Sequence, residues 1–570
     1  MVKTIIDEIS HPLEFSWTDI EPYYQHLEQQ SINQDNVLVW LSSWSQLIDL
    51  VSERYARLNV AVTLDTRDEI AENRLNDFLQ SIFPKTKTAN QILTKKLLES
   101  GLEPAGFKNP LRKMRAEASI YREENLLLLI EERKIGSEYN KIIGNQTVNL
   151  KGKELTLQQL RPLMSSPDRS TREQIWHISY DRQLSDRQKI NDLWSKELQT
   201  RKQLQENTGL PDYREYRWRQ MTRVDYTPED CMTFHIAIEQ VAVPAATRMY
   251  KKYQERLGIS ELRPWDLDLE LYPLGIPPIS SYGDIEDLAS TAGSVFHNVD
   301  PAFGDYFQIM RQEGLLNLKN RKGKAPGAYC TSFPIAQRPF IFMNAVGLPS
   351  DVRTILHESG HAFHNFERFK LPYAQQRPPG LEFAEVASMG MELLASPYLA
   401  KEQGGFYSQS ESNRFRIQHL ERILAFWPYM AVVDAFQHWV YTHIDMAQNA
   451  NNCDAKWYEL WLRYIPGVDW SGLEAEAMTG WHRKQHIHRA PFYYVEYGLA
   501  QLGAVQVWAS ALQDQEAAVS KYHQALSLGG TADLPTLYRT AGAKFAFDTE
   551  TLGRMVNLVE AKISELELET

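Results

Sequence analysis

The stretch TILHESGHAFHNF, Thr354 to Phe366, constrains this chain more than any other, because it carries His357, Glu358 and His361. Residues four apart on a helix rise about 6 Å and lie near one face, so two neutral imidazoles can grip one Zn²⁺ if the stretch is helical. Glu358, one residue after the first histidine, is then placed to reach a water held by that metal. Zinc lowers the pKa of such a water to around 7, and a neighbouring carboxylate can take its proton and pass it to a leaving amine. The chemistry implied is metal-assisted amide hydrolysis. The competing reading is a buried helix with two hydrogen-bonded histidines, and the surrounding sequence has to decide between them.

A catalytic zinc needs three protein ligands and one open position. His364 shares the helix face but lies about 10 Å along the axis from His357, too far to share its metal. Metzincins place Gly three residues after the second histidine and His six after; here those positions hold His364 and Glu367. The aminopeptidase and thermolysin spacings call for Glu where Gly380 and Leu381 stand. Pro378, Pro379 and Gly380 break the chain, and LEFAEVASMGMELLAS then reads as a second helix ending before Pro397, with Glu382, Glu385 and Glu392 as its acids. Glu385, 24 residues after His361 and inside FAEVAS, is taken as the third ligand. Glu392, seven residues further on the same face, is either a partner behind a ligand or an ordinary solvated glutamate.

Several classes are excluded by composition. The 570 residues, 43% hydrophobic and 24% charged, are those of a globular protein of more than one lobe. A net charge of -12 argues against a nucleic-acid or anionic-membrane surface. Asp7 and Glu8 fall where a signal peptide would need an apolar run, so secretion by that route is not expected. The longest apolar stretch, Ile423 to Phe436, is short and contains Asp434 and Pro428, and reads as a buried helix rather than a membrane span. Cys231, Cys330 and Cys453 are scattered, without CxxC pairing. That suits a reducing cytoplasm and makes a cysteine metal site unexpected.

From Trp17 to about Leu204 the pattern is almost entirely helical, interrupted by a hairpin around Gly152 between Thr147 and Leu157. Ser166 and Pro167 read as the cap of one long helix running to Glu206. The lobe boundary is placed near residue 200, giving a helical lobe over 1–200 and a motif-bearing lobe over 201–570. Thr227, Pro228 and Asp230 open a helical run to about Leu257. Leu262 to Pro278, with its WDLDLEL stretch, reads as a strand or extended loop, and Trp265 and Asp266 as packing and a turn cap. GAYCTSF and PFIFMN read as a hairpin just before the metal helix, whose edge strand could hold an extended peptide through main-chain hydrogen bonds. Asp434, His438 and His443 read as core or supporting groups.

HESGHAFH, FAEVAS, GAYCTSF, PFIFMN and HRAPFYYVEYGLA, in that set, resemble the thimet oligopeptidase and oligoendopeptidase F family, closest to the oligoendopeptidase F branch. The resemblance spans roughly 200–565. It implies a mainly α, two-lobed zincin-type metallopeptidase, with a small hairpin or sheet beside the active-site helix and a deep channel that admits short oligopeptides. It also implies one Zn²⁺ per chain on His357, His361 and Glu385, Glu358 as general base, and His488, Tyr493 and Tyr497 facing the metal. From spacing alone, Pro491 would start a helix with Tyr493 and Tyr497 on one face. Thimet-type members carry a further tyrosine where this chain has Ala500, so which tyrosine contacts the scissile carbonyl stays open. A peptidyl-dipeptidase is the alternative enzyme, because angiotensin-converting enzyme uses a similar His-to-Glu spacing. A non-catalytic peptide-binding protein would not need Glu358.

Overall fold

The computed structural model describes residues 13–267, 279–280 and 282–569. The chain is mainly helical, with one two-stranded and one three-stranded sheet among the described residues. It groups into two compact units, each assembled from three stretches. The first unit comprises 1–119, 280–412 and 503–545, and the second 120–279, 413–502 and 546–570. Residue 200, where the sequence suggests a boundary, lies inside the second unit. The 1–12 stretch and most of WDLDLEL fall outside the described residues.

Local signals account for most elements of the second unit. The hairpin of β1 (Thr147–Leu150) and β2 (Lys153–Thr156) turns on Lys151 and Gly152, both at positive φ as a two-residue hairpin turn requires. Thr227 and Asp230 cap each other's backbone at the start of the helix Pro228–Ala237, and after a π-helical turn the run continues to Leu257, stopped by Gly258 in the left-handed conformation. Trp265 and Asp266 are buried, and Asp266 does more than cap a turn, since it takes ion pairs from Arg169 and Arg172 at 2.7 and 2.8 Å. The expected single helix to Glu206 is two helices, Arg169–Leu184 and Arg187–Glu206, and its cap is Asp168 rather than Ser166. The break sits at Asp186, whose buried carboxylate is held by Arg182 at 2.7 Å and Lys189 at 2.9 Å. Ile423 to Phe436 lies within the helix Gln409–Thr442, and no described helix is long and apolar enough to cross a membrane. His443 is exposed rather than core, stacked on Trp439 just past that helix.

The first unit builds the frame around the histidine motif. Its sheet has the order β3–β5–β4, with β3 (Leu316–Lys319) parallel and β4 (Tyr329–Phe333) antiparallel to β5 (Arg338–Ala345). β5 is buried on both faces. Phe340 and Phe342 pack with Phe333 on Ala56 and Val60 of the helix Val37–Leu64. Ile341 and Met343 alternate to the face covered by the motif helix, Pro349–Arg368. Asp351 fixes the short turn between strand and helix. Its Oδ2 accepts from the backbone N–H of Val346, Gly347 and Leu348 at 2.8, 2.9 and 3.0 Å and from the Tyr282 hydroxyl at 2.8 Å.

The far end of the motif helix is pinned by Glu367, whose buried carboxylate accepts from Tyr306 Oη at 2.6 Å, His523 Nε2 at 2.6 Å and Lys370 Nζ at 2.8 Å. Burial opposes ionisation here, but the hydrogen bonds from His523, Lys370 and Tyr306 prevail and hold the carboxyl at about 2. A carboxyl depressed in the folded state adds stability above its unfolded pKa, and that stability is lost as pH falls through the folded value. The window is therefore from about 4.5 down to about 2, and the effect is on the order of 3 kcal/mol at about 1.4 kcal/mol per pKa unit. Glu367→Gln should lower stability at neutral pH and flatten the acid limb of the stability curve. Urea melts across that pH range check it, and parallel curves for both proteins would show that Glu367 carries no such linkage.

Candidate functional site

His357 and His361 lie on one side of the motif helix, their rings 5.0 Å apart, and face the helix Leu381–Leu394. The approach of these two helices rests on Gly360. A Cβ there would stand 2.4 Å from Ala387 O and 2.7 Å from Ser388 Cα, closer than any side chain can sit to backbone. The contact carries Glu385 to the histidines. Its Oε2 lies 3.6 Å from His357 Nε2 and 3.7 Å from His361 Nε2. Donors about 2.0–2.1 Å from one tetrahedral ion stand about 3.3–3.4 Å apart, so two imidazoles and a carboxylate at this separation fit zinc after shifts of a few tenths of an ångström. Among the described residues these three form a group with donor atoms within 4.8 Å of one another, and Glu382 and His364 are not in it. His364 is buried edge-on to Phe383, its Nε2 without a hydrogen-bond partner among the described residues.

The groups behind this trio orient it. Glu392 Oε1 accepts from His357 Nδ1–H at 2.7 Å, so Nε2 is the nitrogen that turns toward Glu385 and would present a lone pair there once its proton leaves. Ser388 donates to Glu385 Oε2 at 3.1 Å. Glu358 is buried and takes a hydrogen bond from the backbone N–H of Cys330, on the outward edge of β4. Burial pushes the Glu358 carboxyl up to about 7, the charges of Glu385 and Glu392 adding to the rise and His357 opposing it. For His357, burial is outweighed by the Glu392 hydrogen bond and the neighbouring carboxylates, and its pKa rises to about 9. His361 moves the other way, held well below its usual range by burial and by the His357 charge. Three carboxylates around two imidazoles make a site that calls for a cation.

His488, Tyr493 and Tyr497 belong to the second unit. His488 is buried, stacked on Tyr139 at 4.3 Å, with Nδ1 3.2 Å from both oxygens of Glu197. Arg201 joins the cluster, paired with Glu132 and Glu197 and donating to the carbonyl of His488. Tyr493 and Tyr497 are half-buried, their rings edge to face at 5.3 Å. Pro491 does not start their helix. The helix is Tyr494–Ala511, Tyr493 directly precedes it, and Phe492 stands at φ 63. The distortion is held from both sides of the Phe492 backbone. Gln437 Oε1 accepts its N–H at 2.8 Å, and Arg223, paired with the buried Glu496 at 2.7 Å, donates to its carbonyl. Nearby, Lys484 donates to the Tyr494 hydroxyl at 2.7 Å, and burial pushes its ammonium down to about 7. Gly360, Gln437, Arg223 and Glu496 are not among the candidates that spacing singles out, although Gly360 lies inside HESGH and Glu496 inside HRAPFYYVEYGLA.

The Peptidase family M3 profile matches residues 162–556. The chain belongs to that family. Its similarity to curated relatives is low but extended. It is 23% identical over 313 residues to "Oligopeptidase PepF" of Bacillus subtilis (strain 168), covering 53% of this chain and 44% of that protein. It is 23% identical over 432 residues to "Oligoendopeptidase F, plasmid" of Lactococcus lactis subsp. cremoris, covering 73% and 66%. The aligned part thus spans less than two thirds of either relative. Among solved structures, "PZ peptidase A with inhibitor 2" superposes with a TM-score of 0.88 at 26% identity, covering 96% of this chain and 97% of that one. Oligoendopeptidase-F from Enterococcus faecium shares the fold, with a TM-score of 0.62 at 13% identity over 97% of each chain.

The M3 match and the helix crossing together generate a test that needs no substrate. Gly360→Ala forces the two helices apart, at a cost of about 1–3 kcal/mol for overpacking. Because Glu385 rides on the displaced helix, divalent-metal affinity should fall by roughly tenfold or more, about 1.4 kcal/mol. Competition with a chelator reads it, and unchanged affinity in a folded variant would mean that the crossing does not set the trio's geometry.

Proposed function

We propose that this M3 family member is a zinc-dependent endopeptidase that hydrolyses internal bonds of short oligopeptides. The observation that carries the reading is the convergence of His357, His361 and Glu385 on one point, with Glu358 buried beside it. His357, His361 and Glu385 would hold the zinc, which when bound supplies a Lewis acid that polarises a carbonyl and lowers the pKa of water. Glu358 takes the proton of the attacking water and delivers it to the leaving amine; a carboxyl raised toward 7 by burial suits both transfers. Glu392 keeps His357 in the tautomer that presents Nε2. The outward edge of β4 offers main-chain groups to an extended peptide, which suits oligopeptides of varied sequence.

Glu358→Gln should abolish peptide hydrolysis while zinc stays bound, since the ligands survive and the proton acceptor is lost. Glu385→Ala should instead release zinc to a mild chelator. Mass spectrometry of a digested peptide mixture, with metal analysis of each variant, reads both; internal fragments are expected, and release of C-terminal pairs alone would turn the assignment to a peptidyl-dipeptidase. Near wild-type turnover in Glu358→Gln would remove Glu358 from its role.

The family resemblance assigns His488, Tyr493 and Tyr497 to substrate, and Tyr493 is the proposed donor to the carbonyl oxygen as negative charge gathers there. Removing such a donor costs about 10²- to 10³-fold in kcat. Tyr493→Phe should lower kcat with little change in KM or zinc content. A rise in KM at constant kcat would instead make Tyr493 a binding residue and move the donor role to Tyr497 or His488.

A further inference from the structure

A second cluster of metal-ligating side chains lies wholly within the second unit. The helix Pro228–Ala237 carries Cys231 and His235 four residues apart, and the helix Gln409–Thr442 carries Asp434 and His438 at the same spacing, so each helix presents a pair from one face. All four are buried, Cys231, Asp434 and His438 completely. The donor atoms of Cys231, Asp434 and His438 lie within 4.8 Å of one another. His235 Nε2 is 2.9 Å from Asp434 Oδ2, and His438 Nε2 is 3.3 Å from the same oxygen but not in hydrogen-bonding geometry.

Asp434 Oδ1 and both ring nitrogens of His438 are buried with no hydrogen-bond partner among the described residues. Native proteins rarely leave such atoms orphaned, because each loses its water without a replacement. His438 Nε2 has the Asp434 carboxylate 3.3 Å away, but Asp434 Oδ1 and His438 Nδ1 have no such contact, and these two atoms in one cluster that faces a thiol point to a missing ligand with positive charge. Aromatic rings flank the cluster, with those of Trp218 and Phe492 5.8 and 5.0 Å from that of His438. The helix carrying Cys231 and His235 passes directly into a π-helical turn, Ile238–Ala242, a distortion that recurs at functional sites.

The geometry points to a second, structural metal site, in which Cys231, Asp434 and His438 bind a divalent ion of the zinc class and His235 orients Asp434 through Oδ2. A thiolate, a carboxylate and a neutral imidazole balance a 2+ ion, so the filled site carries no net charge into a fully buried region. Binding displaces one proton, from the Cys231 thiol, and leaves one coordination position for water. The ion ties two helices that are nearly 200 residues apart in sequence. His235 fills the place that outer carboxylates and imidazoles take in metal sites, fixing the ligand that faces the ion. In this site Cys231 acts with His and Asp from another helix, a pairing that the absence of a CxxC spacing does not exclude.

The test is metal analysis of the full-length protein purified without chelator, followed by exchange into Co²⁺. Two metal equivalents per chain are expected, with a thiolate-to-cobalt charge-transfer band. That band reports this site alone, since His357, His361 and Glu385 contain no sulfur. Cys231→Ala should remove the band and one equivalent and leave peptide hydrolysis standing, whereas His361→Ala should remove the other equivalent and leave the band. The two losses therefore separate this site from the proposed catalytic one. Absence of the band in the cobalt-loaded wild type overturns the proposal even if the variants fail to fold, and so does a band that survives Cys231→Ala.

Discussion

The geometry of the site hangs on the contact between Gly360 and the backbone of Ala387 and Ser388. Helices packed through ordinary side chains keep their axes about 8–10 Å apart, and the closest approaches require a residue with no Cβ at the crossing. A glutamate and two histidines on neighbouring helices converge on one point only at close approach. The glycine therefore acts at a distance from the chemistry, by setting how far Glu385 must reach. The anchors at the two ends of the motif helix hold this crossing in place, Asp351 gathering the turn from β5 and Glu367 tying the last turn to Tyr306 and His523.

Close packing of acids sets the electrostatics as much as the shape. Glu358, Glu385 and Glu392 crowd a buried region, where the charges of Glu385 and Glu392 raise the cost of ionising Glu358. With no metal, the compensating charge falls on His357, whose pKa rises to about 9. That proton is what a divalent ion would replace, and its departure leaves both imidazoles neutral, as ligands must be. The same crowding and burial push the Glu358 carboxyl up to about 7. The shifts at His357 and Glu358 thus come from one arrangement of charge.

How much of this the sequence disclosed follows from how local each feature is. The motif helix, the glutamate helix ending before Pro397, both hairpins and the run from Thr227 to Leu257 are written in caps, turns and short-range periodicity. Glu385 stands out by its place inside FAEVAS, 24 residues after His361, although Glu392 shares its helix face. The split at Asp186 was not legible, since the break is stabilised by ion pairs that an otherwise continuous helical pattern does not advertise. Nor was the assembly of each unit from three separated stretches, which depends on contacts between residues hundreds of positions apart. Cys231 and Asp434 looked unrelated for the same reason, and only folding brings their two four-residue spacings together.

The clearest failure of local reasoning, at Pro491, is also the most informative. Proline at that point favours a helix start, and an uninterrupted helix would have put Tyr493 and Tyr497 one turn apart on a common face. Phe492 instead adopts a left-handed backbone, a conformation that a bulky residue takes only when its surroundings impose it. Here the imposition is explicit: Gln437 holds the N–H of Phe492, and Arg223, locked to buried Glu496, holds its carbonyl. The helix consequently begins three residues later than proline would have it, and Tyr493 sits outside the first turn with its backbone direction set by that clamp rather than by helix periodicity. Strain of this kind persists only where the surroundings over-determine it, and here two side-chain contacts to one peptide unit outweigh the local preference that proline sets.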